Sequence, residues 1–158
     1  MATTYRPSGL NFMDNKNISK FEADRLQILS FKIIEESISI PETFDATLIS
    51  EFDTTNNIQI AFNLEQKLIR SQFDIEISTV SKNEDQAKTN LKFVFIFHCE
   101  NFEDLATTEG NDTKIDSNLG YAITTLTHST ARGILLTKLS DTVFADFILP
   151  VVKPKLPK

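Results

Sequence analysis

Two histidines, one cysteine and the adjacent acidic pairs Glu35-Glu36 and Glu84-Asp85 are residues of this chain whose types could do chemistry. A hydrolytic metal site needs ligands at set spacings, but His98 on a strand-type run and His128 on a later helical stretch form neither an HExxH nor a CxxC pattern. Cys99 closes an alternating apolar run, where a small buried hydrophobe is the simpler reading than a reactive thiol. Paired carboxylates can share acid and base roles, yet the side chains of Glu35-Glu36 diverge on a strand. Glu84-Asp85 sits in a polar loop, so solvated charge is the reading for both pairs. There is no GxSxG, no GxxxxGK and no dinucleotide fingerprint, and four glycines leave little material for a phosphate loop. The sequence implies no cofactor, no metal and no enzyme.

What remains to be explained is apolar side chain. Leu91, Phe93, Phe95, Phe97 and Cys99 share one face at the period of two that a strand imposes, while Val94 and Ile96 make the other face apolar as well. A strand apolar on both faces needs cover on both. One helical stretch is too little for that, so another copy or a client is expected to supply the rest. At 158 residues the chain suits one domain, able to bury roughly 70% of its unfolded surface. A net charge of −6 disfavours nucleic acid, which calls for clustered Lys and Arg. No stretch reaches the roughly 18 apolar residues of a membrane span. Met1 to Asn17 lacks the apolar core of a secretion signal, and one cysteine cannot make an internal disulfide, so the cytoplasm is the expected compartment.

Along the chain, residues 1–24 read as a flexible arm with Phe12, Ile18 and Phe21 as isolated anchors. A first strand runs from about Leu26 to Ile40 and stops at Pro41, which cannot donate to a ladder. Pro41 to Asn57 is long for a hairpin and is read as a crossover lying on the sheet through Phe44, Leu48, Ile49 and Phe52. The second strand then opens at Asn56-Asn57 with Ile58, Ile60, Phe62 and Leu64 on one face. A third places Phe73, Ile75 and Ile77 opposite Asp74, Glu76 and Ser78. Ser81 to Lys88 is a hydrophilic hairpin loop before the fourth strand. Phe102 to Lys114 is polar, contains Gly110 and reads as a mobile connection.

Asp116-Ser117-Asn118 then offers three good N-cap residues for a helix reaching Leu139. Leu119, Ile123, Leu126, Thr130, Ile134 and Thr137 recur at three-and-four spacing. Five threonines and Gly133 give this helix poor intrinsic propensity, so packing must stabilise it. Small side chains let a neighbour approach closely, and Leu119, Ile123, Leu126, Thr130 and Gly133 are the candidate oligomer interface. A plain core helix with a polar outer face is the competing reading. Strands first and a helix afterwards make the fold class α+β.

Leu119-Gly120, then Ala131-Arg132, then Phe144, and finally Leu149-Pro150-Val151, following four strands with a long crossover between the first two, resembles the C-terminal signature of the SecB-type export chaperones. The resemblance covers about Leu26 to Val152, within a domain at 25–152, followed by a basic tail at 153–158. It implies a four-stranded antiparallel sheet backed by a long C-terminal helix and a short closing segment. It also implies assembly as a homotetramer, a dimer of dimers, that keeps unfolded polypeptide clients from aggregating. In this helix the chain carries Thr124, Ser129 and Thr130 where the family has prolines and aromatics. Its tail, Lys153-Pro154-Lys155-Leu156-Pro157-Lys158, is short and basic where SecB ends in a segment that engages the export motor. The family's motor-contacting acidic residues do not align cleanly, although Glu35 and Glu36 lie nearby. Toxin–antitoxin control therefore suits the chain as well as protein export does.

A holding chaperone needs neither nucleotide nor covalent chemistry, only an apolar groove with a tolerant rim. The candidate groove combines Phe44, Leu48, Ile49 and Phe52 of the crossover with Phe144, Phe147 and Ile148 of the closing segment; the same seven could instead fill the subunit core. Two other classes stay open at this point. An adaptor would bind one folded partner through a sheet edge or face. A small-molecule binder would need a closed pocket.

Overall fold

Alternation of apolar and polar side chains decides the main sheet. The computed structural model of the chain describes residues 3–5, 11–13 and 19–151. Ile18, Val152 and the tail 153–158 lie outside them. A short strand, β1 (Asn11–Met13), precedes four long ones: β2 (Leu26–Ser39), β3 (Ile49–Asn63), β4 (Leu68–Ser81) and β5 (Lys88–Cys99). These four lie side by side in the order β2-β5-β4-β3, antiparallel throughout. Two further strands, β6 (Ala106–Glu109) and β7 (Asp112–Asp116), lead into the helix α1 (Ser117–Lys138). The fold is α+β, with the helix and the closing segment backing one face of the sheet.

The inner face is a slab of aromatic side chains. Phe73 of β4 and Phe93 of β5 are direct cross-strand partners, with ring centroids 6.1 Å apart and ring planes parallel. Phe31 of β2 lies 5.7 Å from Phe93 and 5.1 Å from Phe95. Leu91, Phe93, Phe95, Phe97 and Cys99 are all buried. On the opposite face of β5, Val94 is only 8% exposed although no second layer covers it. Its register partners are Lys32 and Gln72, whose aliphatic stems are long enough to shelter it while their polar ends stay in water. Val94 is therefore sheltered within the protomer, whereas Ile96 on the same face stays half-buried.

Three boundaries differ from the sequence reading. The connection from β2 to β3 does cross the sheet, from one edge to the other, a distance of about 14 Å at the usual strand spacing. Its loop, however, is only residues 40–48, and β3 starts at Ile49. Ser50 to Asn57 look loop-like because this half of β3 is a solvated edge, so Phe52 belongs to a strand. Secondly, Phe102 to Lys114 is not a mobile connection. Phe102 and Leu105 are buried in a short 3-10 turn, and β6 and β7 pair antiparallel across Gly110-Asn111. Gly110 adopts φ +63° there, a conformation that glycine takes without steric cost.

Thirdly, the helix buries a different stripe. Leu119, Gly120, Ile123, Thr124, Thr127, Ala131 and Leu135 face the protein, while Leu126 and Gly133 are exposed. The buried stripe is rich in small residues, which brings the helix close to β4. Asp116 caps the helix by accepting from the amides of Asn118 (2.9 Å) and Leu119 (3.3 Å). Thr124 returns its hydroxyl to the Gly120 carbonyl at 2.9 Å, and Thr127 donates to Ser71 Oγ of β4 at 2.8 Å. Both Thr127 and Ser71 are fully buried, so this one hydroxyl pair joins helix to sheet. Thr127→Val would strand the Ser71 hydroxyl at a cost of about 1–3 kcal/mol, and adding Ser71→Ala would recover most of that loss. Denaturant melts of the two single variants and the double test this; simple additivity of the two losses would refute it.

Candidate functional site

The residues with chemical potential stay apart. Cys99 is completely buried, and burial pushes its thiol up to about 11, so it is protonated and unreactive at neutral pH. His128 sets its ring edge-on against Phe73 at 6.1 Å, and its Nε2 is buried without a partner. Burial, and then the nearby Arg132, hold its pKa below the ordinary histidine value. Glu35 and Glu36 point to opposite sides of β2: Glu35 bonds Lys92 at 2.8 Å and Glu36 reaches Lys138 at the end of α1 at 3.0 Å. No group of three or more potential metal ligands occurs among the described residues.

A cleft of about 420 Å³ lies where the crossover meets the segment after the helix. Ala46, Ile49 and Phe52 form one wall, Thr142, Val143 and Ala145 the other. The crossover is shaped locally by Asp45, which accepts from both the amide (2.9 Å) and the hydroxyl (2.6 Å) of Thr47 and so starts the 3-10 turn Ala46–Leu48. Beyond α1, Thr142 bonds the Leu139 carbonyl and receives the Phe144 amide, which turns the chain back onto the sheet. Phe52 bridges the two walls, 6.3 Å from Phe144 and 5.9 Å from Phe147.

Of the seven candidate groove residues, Ile49 and Phe52 line this cleft and Phe144 and Phe147 pack against the Phe52 ring; Phe44, Leu48 and Ile148 are not part of its lining. Phe144 and Phe147 are buried beneath the cleft; Phe44, Leu48, Ile49 and Phe52 are half-buried; Ile148 is 63% exposed. Of the candidate oligomer residues, Leu119 and Ile123 do not lie at a free surface: both are buried in the protomer core before any partner arrives. Leu126, Thr130 and Gly133 lie on the outer side of the helix, and at Gly133 an added Cβ would meet nothing within 4 Å. The motif residues have structural work: Leu119, Gly120, Ala131, Phe144 and Leu149 are all buried and fasten helix and closing segment to the sheet.

One surface escaped the sequence reading. β2 is an edge strand, and Ile28, Leu29, Phe31, Ile34, Ile38 and Ile40 in and just beyond it are each 37–55% exposed. Register shifts at Leu29 and at Ile34 re-phase the strand, so that Leu26, Ile28, Phe31, Ile33 and Ile38 all turn toward the helix side despite irregular spacing. A strict period of two conceals that pattern. The opposite edge, β3, carries Ser50, Glu51, Asp53, Thr55, Asn56 and Asn57 instead, the polar dress that discourages pairing. Within the sheet, the exposed large apolar side chains therefore gather at one edge and not at its centre.

No helix among the described residues is long and apolar enough to cross a membrane. No family model matches the sequence, and no curated protein matches it either. Among solved structures, the chain is similar to the SecB-like chaperone Rv1957 of Mycobacterium tuberculosis, solved in complex with a ChAD peptide from the Rv1956 HigA1 antitoxin. The likeness covers 85% of this chain and 95% of that one with a TM-score of 0.59, at 12% sequence identity. An agreement of that extent at so low an identity is one of architecture: the α+β fold of this chain is like that of the Rv1957 chain.

Proposed function

We propose that the protein is a non-enzymatic, cytoplasmic chaperone of SecB-like type, a homo-oligomer that holds extended or non-native polypeptide segments in the cleft between crossover and closing segment. The observation that carries this reading is the correspondence, over nearly the whole length of both chains, with a chaperone whose structure holds a peptide. Physical support comes from the cleft itself: an open trough lined by half-buried Ile49 and Phe52, with the rings of Phe144 and Phe147 against Phe52, suits unrelated apolar side chains. The exposed apolar edge β2 and the outer side of α1, with Gly133 where a side chain would meet open space, supply surfaces for self-association. Because the neighbour's peptide comes from an antitoxin, disordered antitoxin segments are a client class alongside export precursors.

The test is suppression of aggregation of several unrelated unfolding proteins without nucleotide. Leu48→Ser, Ile49→Ser and Ile148→Ser together remove exposed or half-exposed apolar contacts while sparing the core. The triple variant should bind an unfolded polypeptide about tenfold more weakly, a loss of ~1.4 kcal/mol, with an unchanged melting temperature. Full activity in the triple variant would place the binding surface elsewhere. Wild-type protein that protects no unfolded client, yet captures a single folded one, would make it an adaptor.

A further inference from the structure

The chain's own N-terminal strand occupies a second apolar site, apart from the cleft. β1 pairs in parallel with β7, matching Asn11 to Lys114, Phe12 to Ile115 and Met13 to Asp116. Phe12 sits against a pit formed by Ile60, Phe62, Phe102, Ile115, Leu119 and Ile123, and with Phe12 in place about 10 Å³ is left, roughly one water molecule. The fit is close, yet Phe12 remains only half-buried. On either side the arm is pinned by polar contacts, and on the later side the Lys20 carbonyl also accepts from Asn101 Nδ2 at 3.3 Å. The Thr4 carbonyl accepts from Asn63 Nδ2, and Ser19 Oγ donates to Asp116 Oδ2 at 2.9 Å. Detaching β1 would leave the rest intact, because β7 keeps its antiparallel partner β6 and continues directly into α1.

An extended segment that hydrogen-bonds through its main chain to a sheet edge and drops one large side chain into a pit is the way sheet edges recognise peptides. We propose that β1 is a tethered stand-in for a client. It occupies the edge of β7 and the Phe12 pit, and yields both to an extended client segment that carries a large aromatic or aliphatic residue. This rests on the polypeptide-holding function given above. A tethered competitor acts at an effective concentration in the millimolar range, so it lowers the apparent client affinity by the fraction of time the site stands free.

Phe12→Ser in the full chain removes the side chain from the pit, and Ser19→Ala releases one pin without touching the pit. Binding is measured with fluorescently labelled, reduced and carboxymethylated α-lactalbumin as a permanently unfolded probe, and separately with a labelled synthetic peptide of residues 8–16. Phe12→Ser should bind the unfolded protein about tenfold more tightly than wild type, with Ser19→Ala between them. The peptide should bind the Phe12→Ser chain and be displaced from it by the unfolded protein, while wild type takes up little. Equal affinity of all three forms for the unfolded protein would overturn the stand-in role and leave the holding function standing. Failure of all three to bind it would remove the holding function, and this inference with it.

Discussion

Phe93→Ala should lower stability by about 3–5 kcal/mol, the largest loss expected from any single truncation here. Phe93 is fully buried on the central strand β5, its ring parallel to that of Phe73 and 5.7 Å from that of Phe31. Removing the ring takes away partners from β2 and β4 at once, and the flanking strands are fixed by their ladders and cannot close the gap. Set against a typical total of 5–15 kcal/mol, such a loss leaves a marginal fold. In urea the midpoint should fall by roughly 2 M. Phe31→Ala is the internal control, because Phe31 is 37% exposed and has less burial to lose. Equal losses at the two positions would mean that the inner aromatic slab is not the stabilising core.

The second large effect concerns assembly. Ile28→Lys with Ile34→Lys places two charges on the apolar edge, at positions 45% and 52% exposed in the protomer. The protomer loses little buried area, so its circular dichroism should stay that of the wild type. Self-association through β2 should fail, since a lysine on an edge must be desolvated for a strand or another copy to dock there. By light scattering the wild type is expected at a multiple of 17.9 kDa and the double variant at 17.9 kDa. A wild type that is already monomeric, or a double variant of unchanged mass, would take β2 out of the interface.

Much of the sheet was legible because β4 and β5 obey a simple rule. Phe73, Ile75 and Ile77, and Leu91 through Cys99, alternate cleanly where one face is buried. The start of β3 was not legible, because Thr54 to Asn57 lie on a solvated edge where no burial selects apolar residues. The β6–β7 hairpin hid for a related reason: its flanks are mostly Thr, Glu and Asp, although Gly110-Asn111 is a recognised two-residue turn signal. Helix existence and its start at Asp116 were legible from capping chemistry. Its buried side was misjudged because Thr124 and Thr127 count as polar in a pattern, yet each satisfies its hydroxyl inside, on Gly120 and Ser71. Only part of the cleft lining, Ile49 and Phe52, was named from the sequence, because the opposite wall of Thr142, Val143 and Ala145 depends on how the chain turns at Thr142.

Consider finally Leu29 and Ile34. The residues before, between and after them match β5 continuously from Cys99 to Lys88, so both are extra to the ladder. Each insertion curls the rim of the sheet, and a curled rim accepts a mate over a short stretch only. An endless stack of flat strands, the geometry of fibrils, is closed to it. The molecule can thus display an oily border without offering a template for open-ended strand addition.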